Sequence, residues 1–166
     1  MDKSPLVLLE LVERLGNLMR AEFRRAGADE QLQPVHVHAL VYLARANRYS
    51  NTPQAMAEYL GLTKGTMSQS LLLLDRRGLI ERYQDDLDRR VVRLRLSASG
   101  DQFLAEAQPQ MAWQQATRNI SPNRIRNAVS ALRESLTTFQ ADNHGQPFGT
   151  CHGCRHFERL SARAYR

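Results

Sequence analysis

Two groups of residues in this chain have the types and spacing for chemistry. Cys151-His-Gly-Cys154-Arg-His156, with His144 upstream, offers soft ligands. Two thiolates at that spacing can grip one Zn²⁺ while imidazoles complete a tetrahedron. The same pair is also open to reading as a thiol redox switch, or as a tail without function. Haem attachment fails, because Arg155 stands where a His must follow the second cysteine. A thioredoxin-type site would need a strand and helix around the pair, and the pattern supplies neither. The second group is Lys64, Thr66, Ser68 and Gln69, followed by a charged cluster with Asp85, Asp86, Asp88, Arg89 and Arg90. Short polar side chains on one helix face suit the major groove of DNA, where Gln69 can bridge adenine bidentately and Thr66 and Ser68 discriminate less. Arg76, Arg77, Arg89 and Arg93 are candidates for phosphate contacts that position rather than read. No Gly-rich phosphate loop, nucleophile elbow, His-Glu metal motif or acid pair in a plausible cleft appears, so no catalytic activity is expected.

The second group needs a helix and a hairpin to hold it. Thr63 stands where a helix cap should, since its hydroxyl can accept from a free N–H of the first turn. Met67, Leu71 and Leu74 then recur at one-face helical spacing and predict a buried stripe opposite the polar residues. Gly78 terminates that helix. Ile80 to Tyr83 and Val91 to Leu96 alternate as two half-buried strands around Gln84 to Arg90. The Thr52-Pro53 pair opens a shorter helix with Ala55, Met56, Tyr59 and Leu60 spaced for burial, and Gly61 breaks it before Thr63. Two short helices joined by a Gly-containing turn, the second capped and polar outside, followed by a hairpin, predict a winged helix-turn-helix.

At 166 residues the chain suffices for one domain with an appendage. A formal charge of +6 and a sequence pI near 9.9 point to an anionic partner, and the segment from Lys64 to Arg95 carries an excess of positive charge. The N-terminus has no apolar run behind a basic patch, and no stretch approaches the roughly 20 apolar residues of a membrane span, so a soluble, cytoplasmic protein is expected. Two cysteines cannot staple a secreted domain.

Ser4 and Pro5 open a first helix, striped by Leu8, Leu11, Val12, Leu15, Leu18 and Met19, running to about Arg25 before Gly27. Leu32 to Ala46 predicts a second, entered at Pro34, with Ala39, Leu40, Leu43 and Ala46 inward and His36, His38 and Tyr42 on other faces. Ser50 and Asn51 are candidates for a short strand added to the wing sheet. Ser97 to Gly100 starts a long helix through Phe103, Leu104, Ala107, Met111 and Trp113, kinked at Pro109. Ser121 and Pro122 open a last helix in which Ile125, Val129, Leu132, Leu136 and Phe139 make a narrow seam, as two helices packing along their lengths require. The expected divisions are 1–31, 32–98, 99–143 and a Cys/His tail, 144–166.

AMAEYLGLTKGTMSQSLLLLDRRGLIERY, the wing DDLDRRVVRLRL and the following SASGDQFL resemble the MarR family of winged-helix transcription regulators. The resemblance spans about residues 5 to 143. It implies a mainly α fold with a minor β part, in which N- and C-terminal dimerisation helices from two subunits interlock. Each subunit of that homodimer would offer one winged helix-turn-helix to a pseudo-palindromic operator in double-stranded DNA. On this likeness Thr66, Ser68 and Gln69 face the groove, with Lys64 or Gly65 near phosphates. Asp88 and Arg90 match the wing's Asp-x-Arg, in which the arginine enters the minor groove and the aspartate orients it, a role for which a guanidinium is suited. Gly65 stands where the family often has proline, and Gln33 where it has a Thr or Ser cap. The resemblance also implies a crevice between dimer helices and winged domain that takes small aromatic or anionic effectors. Arg14, His36, Tyr42 and Trp113 are candidates for its lining. The expected function is a repressor released by a small ligand, metal or redox signal. The alternative is an architectural or protein-binding winged helix without sequence readout.

Overall fold

The computed structural model describes residues 3–142. In order these form α1 (Ser4–Ala26), α2 (Pro34–Leu43), α3 (Pro53–Leu60), α4 (Lys64–Arg76), β1 (Ile80–Gln84), β2 (Val92–Leu96), α5 (Ala98–Ala107), α6 (Met111–Thr117) and α7 (Pro122–Asp142). The strands pair antiparallel, Ile80 opposite Leu96 and Gln84 opposite Val92, as one two-stranded sheet. Among the described residues no helix is long and apolar enough to cross a membrane.

The helix starts follow from side-chain oxygens that accept orphan amide protons of a first turn. Thr52 Oγ1 accepts from the Ala55 N–H at 3.2 Å, Thr63 Oγ1 from Thr66 at 3.2 Å and Ser97 Oγ from Gly100 at 3.0 Å. Gly61 and Gly78 end α3 and the α4 turn with φ of 64° and 67°, the left-handed region where a Cβ is unfavourable. These caps fix α3 and α4 as separate short helices, so the apolar stripe of α4 can turn inward.

The core gathers around α2. Val37, Ala39, Leu40, Val41, Tyr42 and Leu43 of this helix are all buried, against Met56 of α3, Met67, Leu71 and Leu74 of α4, and Ile80 and Leu94 of the strands. A helix at the centre of a body is covered on more than one side. The expectation that His36, His38 and Tyr42 lie on other, outward faces is therefore corrected: His36 and Tyr42 are buried, and His38 is half-buried between the Phe23 and Tyr59 rings. The Tyr42 hydroxyl donates to the Ser50 carbonyl at 2.8 Å, and its ring packs on Tyr59.

Two further expectations change. The Asn51 backbone makes one ladder-like bond to the wing, accepting from the Leu94 N–H at 2.8 Å, without forming a third strand. The long helix after the wing does not kink at Pro109 but breaks there. Proline disfavours α geometry in the residue before it, and Gln108 takes a left-handed φ of 40°, leaving α5 and α6 as separate helices.

Outside this body the apolar faces are bare. Only Phe23 of α1 is buried, while Leu8, Leu11, Leu15 and Leu18 are exposed. On α7 the seam residues Val129, Leu132, Leu136 and Phe139 are exposed as well.

Candidate nucleic-acid interface

α4 presents its two faces in opposite ways. Met67, Leu71 and Leu74 reach into the core at 1% exposure or less, which fixes the helix about its axis. Lys64, Thr66, Ser68 and Gln69 are exposed as a consequence. The Thr66 hydroxyl lies 3.0 Å from that of Thr63, so the cap and one candidate reading residue are joined by a hydrogen bond. Arg76 is exposed at the end of the helix. Arg77 Nη1 donates to the Glu30 carbonyl at 2.8 Å, tying the end of α4 to the turn after α1.

In the wing two Asp–Arg pairs sit within nine residues and differ in surroundings. Arg90 is 91% exposed at the tip; its Nε donates to Asp88 Oδ1 and its Nη2 to Asp88 Oδ2, each at 3.0 Å. That two-pronged pairing aims the guanidinium outward. The Arg90 side chain, then its backbone N–H, holds the Asp88 carboxyl below the usual range, and Asp88 in turn raises Arg90. Arg89 is exposed beside it. The second pair lies underneath. Arg93 Nε donates to Asp85 Oδ2 at 2.8 Å, with side chains only 13% and 9% exposed. Arg93 is therefore an internal strut rather than a phosphate contact. Its partners Asp85, Asn51 and the Arg48 carbonyl were not expected from the sequence, although an aspartate that caps the amides two and three residues on is a recognisable turn signal.

His36 starts α2 and lies in a groove of about 670 Å³ that also holds Thr66, Gln69, Arg76 and Arg77. Its Nδ1 accepts from the Gln33 N–H at 3.1 Å, so the imidazole fills the position beside Gln33 where no Thr or Ser cap is present. Burial, with the Arg77 charge adding, lowers its pKa. The four candidates for an effector crevice do not meet within one chain: Arg14 is exposed on α1, His36 lies beside α4, Tyr42 is spent in the core, and Trp113 is exposed on α6. A different cleft, of about 630 Å³, opens between α1 and α2 and is lined by Met19, Arg20, Phe23, His38 and Leu60. His144, Cys151, Cys154 and His156 lie outside the described residues. Among the described residues no three His, Cys, Asp or Glu side chains gather as a metal site.

Residues 30–91 match the model of the MarR family. The transcriptional repressor MprA of Escherichia coli (strain K12) is 30% identical over 100 residues, covering 60% of this chain and 52% of MprA. The chain thus spans about half the length of the curated relatives it matches. Two solved structures share the fold: the S. aureus MepR–DNA complex, with a TM-score of 0.61 at 23% identity over 78% of this chain and 96% of that one, and CouR from Rhodococcus jostii RHA1 bound to p-coumaroyl-CoA, with a TM-score of 0.64 at 19% identity over 74% and 87%. The capped helix pair and the wing are where the match to the MarR family model falls.

Proposed function

We propose that the chain is a homodimeric, sequence-specific DNA-binding transcription regulator that acts as a repressor. The observation that carries this is the exposed polar face of α4 beside a wing whose Arg90 is held outward by Asp88. Lys64, Thr66, Ser68 and Gln69 would lie in the major groove and Arg90 in the flanking minor groove, with Arg76 and Arg89 on phosphates. Arg77 would contribute charge from its tie to Glu30. The bare faces of α1 and α7 support a second copy as their cover, so that residues 1–31 and 99–143 form a dimer frame around two reading heads, each 32–98. A repressor among the 30% identical relatives and a DNA-bound structure among the fold neighbours agree with this reading.

The effector would enter the α1–α2 cleft. Its volume suits a small molecule, its walls are mainly apolar, and Arg20 and His38 supply the polar groups for an aromatic or anionic ligand. CouR, a fold neighbour, is bound to p-coumaroyl-CoA. Zinc or thiol control through Cys151, Cys154, His144 and His156 would add a second input. Less than half an equivalent of metal per chain in protein purified without added zinc would remove the zinc version.

Selection of genomic fragments on the purified protein, followed by footprinting, tests the function. Protection is expected over two half-sites about one helical turn, roughly 10 bp, apart. On the selected duplex, Arg90→Ala should weaken binding about tenfold and flatten its salt dependence. Unchanged affinity would remove the wing from the interface. Gln69→Ala should cost about 1–3 kcal/mol at one base position, whereas a uniform loss across sequences would make Gln69 a phosphate contact.

A further inference from the structure

Beneath the exposed Asp88–Arg90 pair, the wing is joined to the body through a connected set of polar groups in which Asp85 and Asn51 are buried. Asp85 Oδ1 accepts from the N–H of Leu87 at 2.9 Å and of Asp88 at 3.0 Å, which shapes the turn at the tip. Its other oxygen takes the Arg93 Nε at 2.8 Å. Arg93 Nη1 continues to Asn51 Oδ1 at 3.2 Å and to the Arg48 carbonyl. Asn51 Nδ2 donates to the Tyr83 hydroxyl at 2.9 Å and to the Leu94 carbonyl at 3.1 Å. One carboxylate therefore connects the tip amides to β2 and to the segment that enters α3.

We propose that Asp85, acting with Arg93 and Asn51, is the positioning residue of the wing: it fixes the turn so that Asp88 and Arg90 project at one height and angle from the helix-turn-helix. The inference rests on the reading of the wing as a DNA contact. Three features support it. Both carboxylate oxygens are used, one on the tip and one on the body. Asp85 and Arg93 are shielded from water, whereas the pair above them is open to it. The amides it holds are those of Leu87 and of Asp88 itself, so a change at Asp85 moves the residue that orients Arg90. Such a network, fully satisfied, rigidifies what it joins. The backbone N–H bonds from Asp88 and Leu87, then Arg93, hold the carboxyl below its ordinary range.

The test compares Asp85→Ala, Arg90→Ala and the double variant in the full-length protein, on the duplex recovered by selection. A melting curve and the amide exchange of α4 confirm that the body is intact. In the free protein, Asp85→Ala should speed amide exchange at Leu87 and Asp88 at least tenfold while the β1–β2 ladder stays protected. On DNA it should weaken binding about tenfold alone and less than twofold when Arg90 is already Ala, with protection lost in the flanking minor grooves and retained where α4 lies. Arg93→Gln should reproduce both effects in weaker form. Unchanged exchange at Leu87 and Asp88, or equal losses with and without Arg90, would overturn the positioning role and leave the wing contact standing. If exchange rises but neither Asp85→Ala nor Arg90→Ala alters affinity, the wing is not a DNA contact and the positioning role falls with it.

Discussion

The winged body and the two terminal helices use the same apolar residues to opposite effect. In the body Leu40, Met56, Leu71 and Leu74 are sealed at 1% exposure or less. On α1 and α7 leucines at equally regular spacing stand at 41–57% exposure, as at Leu11, Leu15, Leu18, Leu132 and Leu136. Periodicity specifies a face; it does not specify whether the cover for that face comes from the same chain. Each covered leucine contributes about 1.5–3 kcal/mol. Leaving a row of them in water is tenable only if association supplies the cover, as the proposed homodimer does.

The largest expected effect breaks the body alone. Gly100 lies in the first turn of α5 against Leu79, the residue before β1, and a Cβ there would stand 2.1 Å from the Leu79 carbonyl oxygen and 3.1 Å from its carbon. Neither atom is the movable end of a side chain. Gly100→Ala should therefore cost about 3 kcal/mol or more, read by thermal or urea unfolding. A change under about 1 kcal/mol would mean that α5 can slide on the strand.

Next comes the frame. Leu132→Glu places a charge in the middle of the α7 seam, twice per dimer. The dissociation constant measured by sedimentation should rise about a hundredfold, or about 3 kcal/mol. Far-ultraviolet dichroism should retain the signal of a folded body. Dissociation that coincided with unfolding would show that the body borrows its stability from the frame, and body and frame would then differ in degree only.

The smallest effect probes the junction between the two regions. Burial, then Arg77 for His36 and Arg45 for His38, lowers both imidazole pKa values. As pH falls through about 6.5 the unfolded chain takes up protons before the folded one does, so stability falls with it and is restored at higher pH. The melting temperature should decline by a few degrees over that window, and less in His36→Gln. Glutamine's carbonyl oxygen can still accept from Gln33 N–H, as in a capping box, but it does not titrate. An identical decline in the variant would clear His36 of any part.

Much of the body was legible because its signals are local. Thr52, Thr63 and Ser97 cap, Gly61 and Gly78 turn, and Met67, Leu71 and Leu74 keep helical spacing, each within one helical turn of its partner. What was not legible depends on neighbours distant in sequence. The periodicity of α2 cannot reveal that it is enclosed from several sides, so His36 and Tyr42 were placed off its inward face. Arg93 looked like any other wing arginine, because two of the groups that hold it inside, Asn51 and the Arg48 carbonyl, lie 42 and 45 residues away. At Pro109 the local rule was available, but the choice between kink and break was decided by Gln108 adopting a left-handed φ.

The manner in which α1 joins the body has a mechanical corollary. The helix has 23 residues, about 34 Å at 1.5 Å each, and meets the core only near its C-terminal end through Met19, Phe23 and Ala26. It is a lever hinged at one end. A tilt of roughly 6° at that hinge carries the far end through about 3.5 Å, close to the ~3.4 Å step between neighbouring base pairs. In the proposed dimer, a ligand that widened the α1–α2 cleft by a fraction of its own width would shift a reading head by about one base-pair step, out of register with its half-site.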